Sequence, residues 1–124
     1  MVIYLVRMFG ISLMLTIVTE LAIAFLLGLR KRENMLLVLL VNVLTNPPAV
    51  LCNWLCRMYL PDYHRIPVQL VIEAVVVIME AFVYCLFARD ERRQIKRPVL
   101  LAFAANGCSW LLGLLGSALT VTIY

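Results

Sequence analysis

The chain has 124 residues, 65% of them apolar and 15% charged, with a mean hydropathy of +1.00. Soluble domains hold roughly 45–50% apolar and about 25% charged residues, so a water-soluble globular fold is excluded, and the length leaves room for a single domain. The net charge of +4 does not signal nucleic acid, because such binders need a basic face in water and here the cations flank long apolar runs.

In chain order, apolar runs cover residues 2–29, 35–59, 67–88 and 98–123. Each reaches the length of about 20 helical residues that spans a hydrocarbon core. Membrane strands would alternate in polarity, and these runs do not. The expectation is an all-α membrane protein of four transmembrane helices, one domain over residues 1–124, with the lipid bilayer as its first partner. The first run is expected to be a retained helix rather than a cleaved signal peptide, because its basic cluster follows the apolar stretch and Glu20 interrupts it.

Lys and Arg set the orientation. The first connection carries Arg30, Lys31 and Arg32, and the third carries Arg89, Arg92, Arg93, Lys96 and Arg97, against Arg7, Arg57 and Arg65 at the other side. Loops 30–34 and 89–97 are therefore expected in the cytoplasm and both termini outside it, in a plasma or inner membrane. Tyr4, Trp54, Tyr59, Tyr63 and Tyr124 fall at the outer ends, as an interfacial aromatic belt does.

Lipid penalises Glu20, Asn42, Asn46, Glu73, Glu80 and Asn106, and such residues usually face the bundle interior. At about 1.5 Å of rise per residue, Glu20, Glu80 and Asn106 lie about 14–15 Å from the cytoplasmic cations, and Asn42 and Asn46 bracket the same depth. Each helix thus offers an oxygen ligand to one layer near mid-membrane. Glu20 precedes Asn46 by 26 positions and Glu80 precedes Asn106 by 26, so a shift of 60 superimposes both pairs. This reads as two tandem parallel-repeat hairpins, about residues 1–60 and 61–124, related by an axis along the membrane normal; chance coincidence in a simple bundle is the alternative.

Pro47 and Pro48 follow Asn46, remove two backbone donors and are expected to break the second helix, with Asn46 capping a second half-helix. Arg7 and Glu73 lie at equal depth, which predicts a structural ion pair; the alternative makes Glu73 a stepping site for an ion. On the fourth helix, Asn106, Ser109, Gly113, Gly116, Ser117 and Thr120 form a small-residue face, suited to packing within the bundle or to a homodimer or larger membrane complex. Cys52 and Cys56 share a helix face near His64; the set matches no zinc pattern, and cysteine also serves as a small apolar residue, so metal binding stays open. No cofactor is identified.

The pattern Thr19-Glu20, then Val41-Asn42-Val43-Leu44-Thr45-Asn46-Pro47, then Glu73, Glu80 and Asn106 resembles a family of small uncharacterised four-helix membrane proteins of bacteria. The resemblance implies that Glu20, Asn46, Glu80 and Asn106 belong together, and it implies no activity. Gly107 stands where a strict repeat of Pro47 would fall.

Carboxyl and amide oxygens suit protons or hard cations, so ion- or proton-linked transport or channel activity is the leading expectation, with a non-catalytic structural or regulatory subunit as the alternative. An enzyme is not expected: the chain has no HExxH, no phosphate-cradling glycine loop and no nucleophile–histidine pairing at one depth.

Overall fold

The computed structural model describes residues 2–123, with side chains up to residue 118. It contains four helices in the described residues: α1 (Val2–Leu26), α2 (Arg32–Tyr59), α3 (Arg65–Ala88) and α4 (Pro98–Ile123). All four are long and apolar enough to cross a membrane.

Each boundary has a local cause. α1 stops in a Schellman turn: Gly28 takes a left-handed φ of 92°, its N–H donates to Phe25 O at 3.0 Å, and Leu29 N–H donates to Ala24 O at 3.0 Å. Leu29 and Ala24, which such a turn brings together, are both buried in the core. Beyond α3, Asp90 Oδ1 accepts from the Arg92 N–H at 3.0 Å, and Gln94 at φ 54° redirects the chain toward α4. The two loops are tied together: Lys31 Nζ donates to Arg92 O, and Asn34 Nδ2 donates to Arg93 O at 2.6 Å.

α2 departs from expectation. It runs unbroken through Pro47 and Pro48 instead of ending in a capped half-helix at Asn46. The two prolines are adjacent and cost two consecutive backbone bonds within one turn. The ladder on either side holds, a tolerance known for prolines in helices packed among others.

The helices form a ring. α1 packs on α2 and α4, and α3 packs on α2 and α4, while the diagonal pairs do not meet among the described residues. The apolar core lies at the end of the 27–31 and 89–97 loops and is built from Ala24, Leu29, Leu37, Val38, Val41, Tyr84, Ile95, Leu101 and Ala102. Elsewhere the distribution is inside out: Ile11, Val18, Val71, Ile78 and Phe103 are exposed, whereas Glu20, Asn42, Glu80 and Asn106 are buried. In water this arrangement would leave apolar surface wet and polar groups dry. The small-residue face of α4 turns inward at Asn106 and Ser109, which are buried, and at Gly113, which lines a cavity; the side chain of Thr120 lies outside the described residues.

Candidate functional site

Each helix contributes one polar side chain to a layer inside the ring: Glu20 from α1, Asn42 from α2, Glu80 from α3 and Asn106 from α4, at 0, 0, 0 and 3% exposure. Two matching units make up this layer. Asn42 Nδ2 donates to Glu20 Oε2 at 2.7 Å and to Val38 O at 2.9 Å. Asn106 Nδ2 donates to Glu80 Oε2 at 2.5 Å and to Ala102 O at 3.0 Å. In both, one amide NH2 is divided between the carbonyl four residues back and a carboxyl on the preceding helix. Because both partners are acceptors, the amide orientation is fixed.

Thr45 joins the units. Its hydroxyl lies 2.7 Å from Glu80 Oε1 and 3.0 Å from Val41 O, so one proton serves two acceptors. Asn42 and Thr45, three residues apart on α2, share a helix face, and through them both carboxyl groups reach one strip of that helix. Glu20 Oε1, Asn42 Oδ1 and the Tyr84 hydroxyl are buried without a hydrogen-bond partner. Among the described residues no cation pairs with Glu20 or Glu80.

A small chamber of about 30 Å³ adjoins this layer, lined by Thr16, Asn42, Thr45, Asn46, Glu73, Glu80, Asn106 and Ser109 among others. That is room for a water or a small cation. Thr16, Asn46, Glu73 and Ser109 also line a larger cavity of about 590 Å³ at the end of the ring that carries the N-terminus and the 60–64 loop. Tyr4, Trp54, Arg57, Tyr63, Gln69 and Trp110 surround that cavity. At the other end the ring is filled by the apolar core.

Glu20, Asn42, Glu80 and Asn106 are thus brought together, and Asn46 stands apart. Its Oδ1 accepts from Ser12 Oγ at 3.4 Å, one turn above Asn42, at the junction of chamber and cavity. Asn42, and not Asn46, is the amide on Glu20. The Arg7–Glu73 ion pair is not formed: Arg7 is exposed, and Glu73 is half-buried at the same junction as Asn46. Equal depth did not bring them together because α1 and α3 are diagonal in the ring with a cavity between them. Cys52 is exposed, Cys56, Cys85 and Cys108 are half-buried, and all are free thiols. No group of three His, Cys, Asp or Glu among the described residues is placed to hold a metal.

Sequence reasoning assigned Thr45 and Tyr84 no part in the polar layer, and Ser109 only a place on the small-residue face of the fourth helix. Their signal was spacing: Thr45 lies three residues after Asn42, Ser109 three after Asn106, and Tyr84 four after Glu80, each on the face of a recognised polar residue. Comparison of the chain with family models, curated proteins and solved structures finds no match.

Proposed function

We propose that this is a small integral membrane protein that handles protons or a small hard cation at Glu20, Asn42, Thr45, Glu80 and Asn106, as an ion- or proton-linked transporter or channel. One observation carries the reading. Two buried carboxyl groups on opposite helices are held by amide and hydroxyl donors and have no cationic partner, and one of them, Glu80, lines a chamber that meets an open cavity, with Asn42, the amide on the other, in the same wall. Burying an unpaired carboxylate is costly. A site of this kind therefore carries protons or shares a cation, and its oxygen-only ligand set favours hard ions over soft ones. The apolar core at the opposite end supports one-sided access, as alternating-access sites require.

By the positive-inside distribution the open cavity faces away from the cytoplasm, with both termini on that side and the 27–31 and 89–97 loops inside. We read the chain as a duplicated hairpin. Glu20 and Ala24 match Glu80 and Tyr84 at a shift of 60, while buried Leu37, Val38, Val41 and Asn42 match buried Leu101, Ala102, Ala105 and Asn106 at a shift of 64. The four extra residues fall in the 89–97 loop, which has nine residues against five in 27–31. On this reading the equal Glu-to-Asn spacings of the gapless shift are fortuitous. The same axis carries α1 onto α3 and α2 onto α4, in keeping with the ring order.

The test is thermal unfolding of the purified protein across pH and with added Na⁺, Li⁺, K⁺ or Mg²⁺. Acid or one of these cations stabilises the wild type, and Glu20→Gln or Glu80→Gln removes the response while helix content is kept. A wild type indifferent to all of them, with Gln variants equally or more stable, contradicts the proposal and favours the non-catalytic subunit reading, because Gln removes a buried charge without changing shape.

A further inference from the structure

The loop end of the bundle holds a second cavity, of about 380 Å³, lined by Arg30, Lys31, Arg93, Lys96, Arg97 and Asn34, with no acidic residue on its walls. The positive-inside rule asks for cations somewhere in these loops; it does not ask five of them to converge on one pocket from two separate loops. α2 begins at Arg32 and α4 at Pro98, so two helix N-termini add partial positive charge at the same place. Several of the cations are held in position. Lys31 is bonded to Arg92 O, Arg93 reaches Glu33 O at 3.4 Å and sits 4.7 Å from the Phe87 ring centroid, and Arg30 lies 5.3 Å from that of Phe25. Such mutual repulsion calls for an anion between them.

Asn34 narrows the chemistry. It lines this pocket at 2% exposure, its Nδ2 is committed to Arg93 O, and its Oδ1 has no partner. An acceptor among cations is satisfied by a ligand that carries a donor beside its negative charge, and a bare anion has none.

We propose that this pocket binds a phosphate ester with an adjacent hydroxyl or ammonium donor, the chemistry of a phospholipid headgroup or of a soluble phosphorylated polyol. Guanidinium and ammonium groups take the phosphate oxygens, and Asn34 Oδ1 accepts from the donor. The site is separate from the carboxyl layer, across the apolar core, and does not depend on what that layer transports.

The experiment uses the full chain in detergent, with ligand binding read by native mass spectrometry and by thermal shift. The probes are phosphatidylglycerol, phosphatidylcholine, glycerol phosphate and sulfate. Phosphatidylglycerol or glycerol phosphate binds and stabilises, while phosphatidylcholine, which has no headgroup donor, and sulfate, an anion without a proton to donate, bind more weakly. The lipid acting alone identifies a bilayer ligand; glycerol phosphate acting equally well identifies a soluble one. The Lys96→Gln/Arg97→Gln variant weakens binding about tenfold or more, the loss of one good charge-assisted contact. Arg89→Gln/Arg92→Gln, which removes the same charge from exposed positions outside the pocket, changes it less than about twofold. Should the double pocket variant fold poorly, the single Lys96→Gln shows a smaller loss in the same direction. Equal losses in pocket and control variants, or no stabilisation of the wild type by any probe, overturn the proposal.

Discussion

Asn42 and Asn106 each hold a carboxyl in place by dividing one amide between it and their own helix. That division leaves Glu80 with two donors, from Asn106 and Thr45, and Glu20 with one, from Asn42. The two acids are thus unlike in their surroundings although alike in their framework. Thr45→Val keeps the shape and removes the hydroxyl, leaving Glu80 Oε1 without that donor, and is expected to destabilise by about 1–3 kcal/mol. In a double-mutant cycle with Glu80→Gln the two losses are non-additive, since both act on one bond; chemical unfolding in mild detergent measures this. Arg7 gives the opposite expectation. It is exposed and makes no ion pair, so Arg7→Gln changes stability by less than about 0.5 kcal/mol, and its cycle with Glu73→Gln is additive to within about 0.5 kcal/mol.

At the scale of the elements, the helix ends were legible because they coincide with changes in chain chemistry. The start of α4 at Pro98 and the ends of α2 and α3 at Tyr59 and Ala88 all fall where apolar runs meet charge or proline. α1 ends earlier than its apolar run because Gly28 allows the left-handed turn, and Leu29 then folds back into the core. Gly28→Ala forces a side chain into that conformation and is expected to cost about 1 kcal/mol or more, read as a lowered midpoint of unfolding, whereas Gly10→Ala, in mid-helix with open space around its Cα, costs nothing of that kind. The offset of one helix along another, and the order of the helices around the ring, were the illegible part. Depth along a helix follows from counting, but Asn42 and Asn46 lie one turn apart on the same face, and the choice between them depends on how far α2 is displaced along α1. The length of the turn between helices sets that displacement, and equal spacings in sequence pointed to the wrong asparagine. The Arg7–Glu73 pairing failed for a related reason: equal depth carries no information about which helices are neighbours in a ring.

Across the whole molecule, polarity falls from the open cavity inward to the core. An open cavity with aromatic and charged walls narrows past Asn46 and Glu73 to the chamber at Glu80, and beyond the carboxyl layer an apolar core that includes Tyr84 separates that layer from the cationic pocket at Asn34. A packing scaffold has no need of buried acids at the foot of such a cavity, since replacing buried polar groups by apolar ones of similar size is often stabilising. On the function proposed above, the gradient is access from one side to a site that binds a proton or a cation. The most direct test is flux in proteoliposomes, with an internal pH dye and an imposed pH or cation gradient, comparing wild type, Glu80→Gln and protein-free vesicles. The account predicts that wild type dissipates the gradient and that Glu80→Gln, reconstituted to the same amount and with the same helix content, falls to the protein-free rate. Wild type at the protein-free rate under every gradient, or Glu80→Gln as fast as wild type, would contradict it.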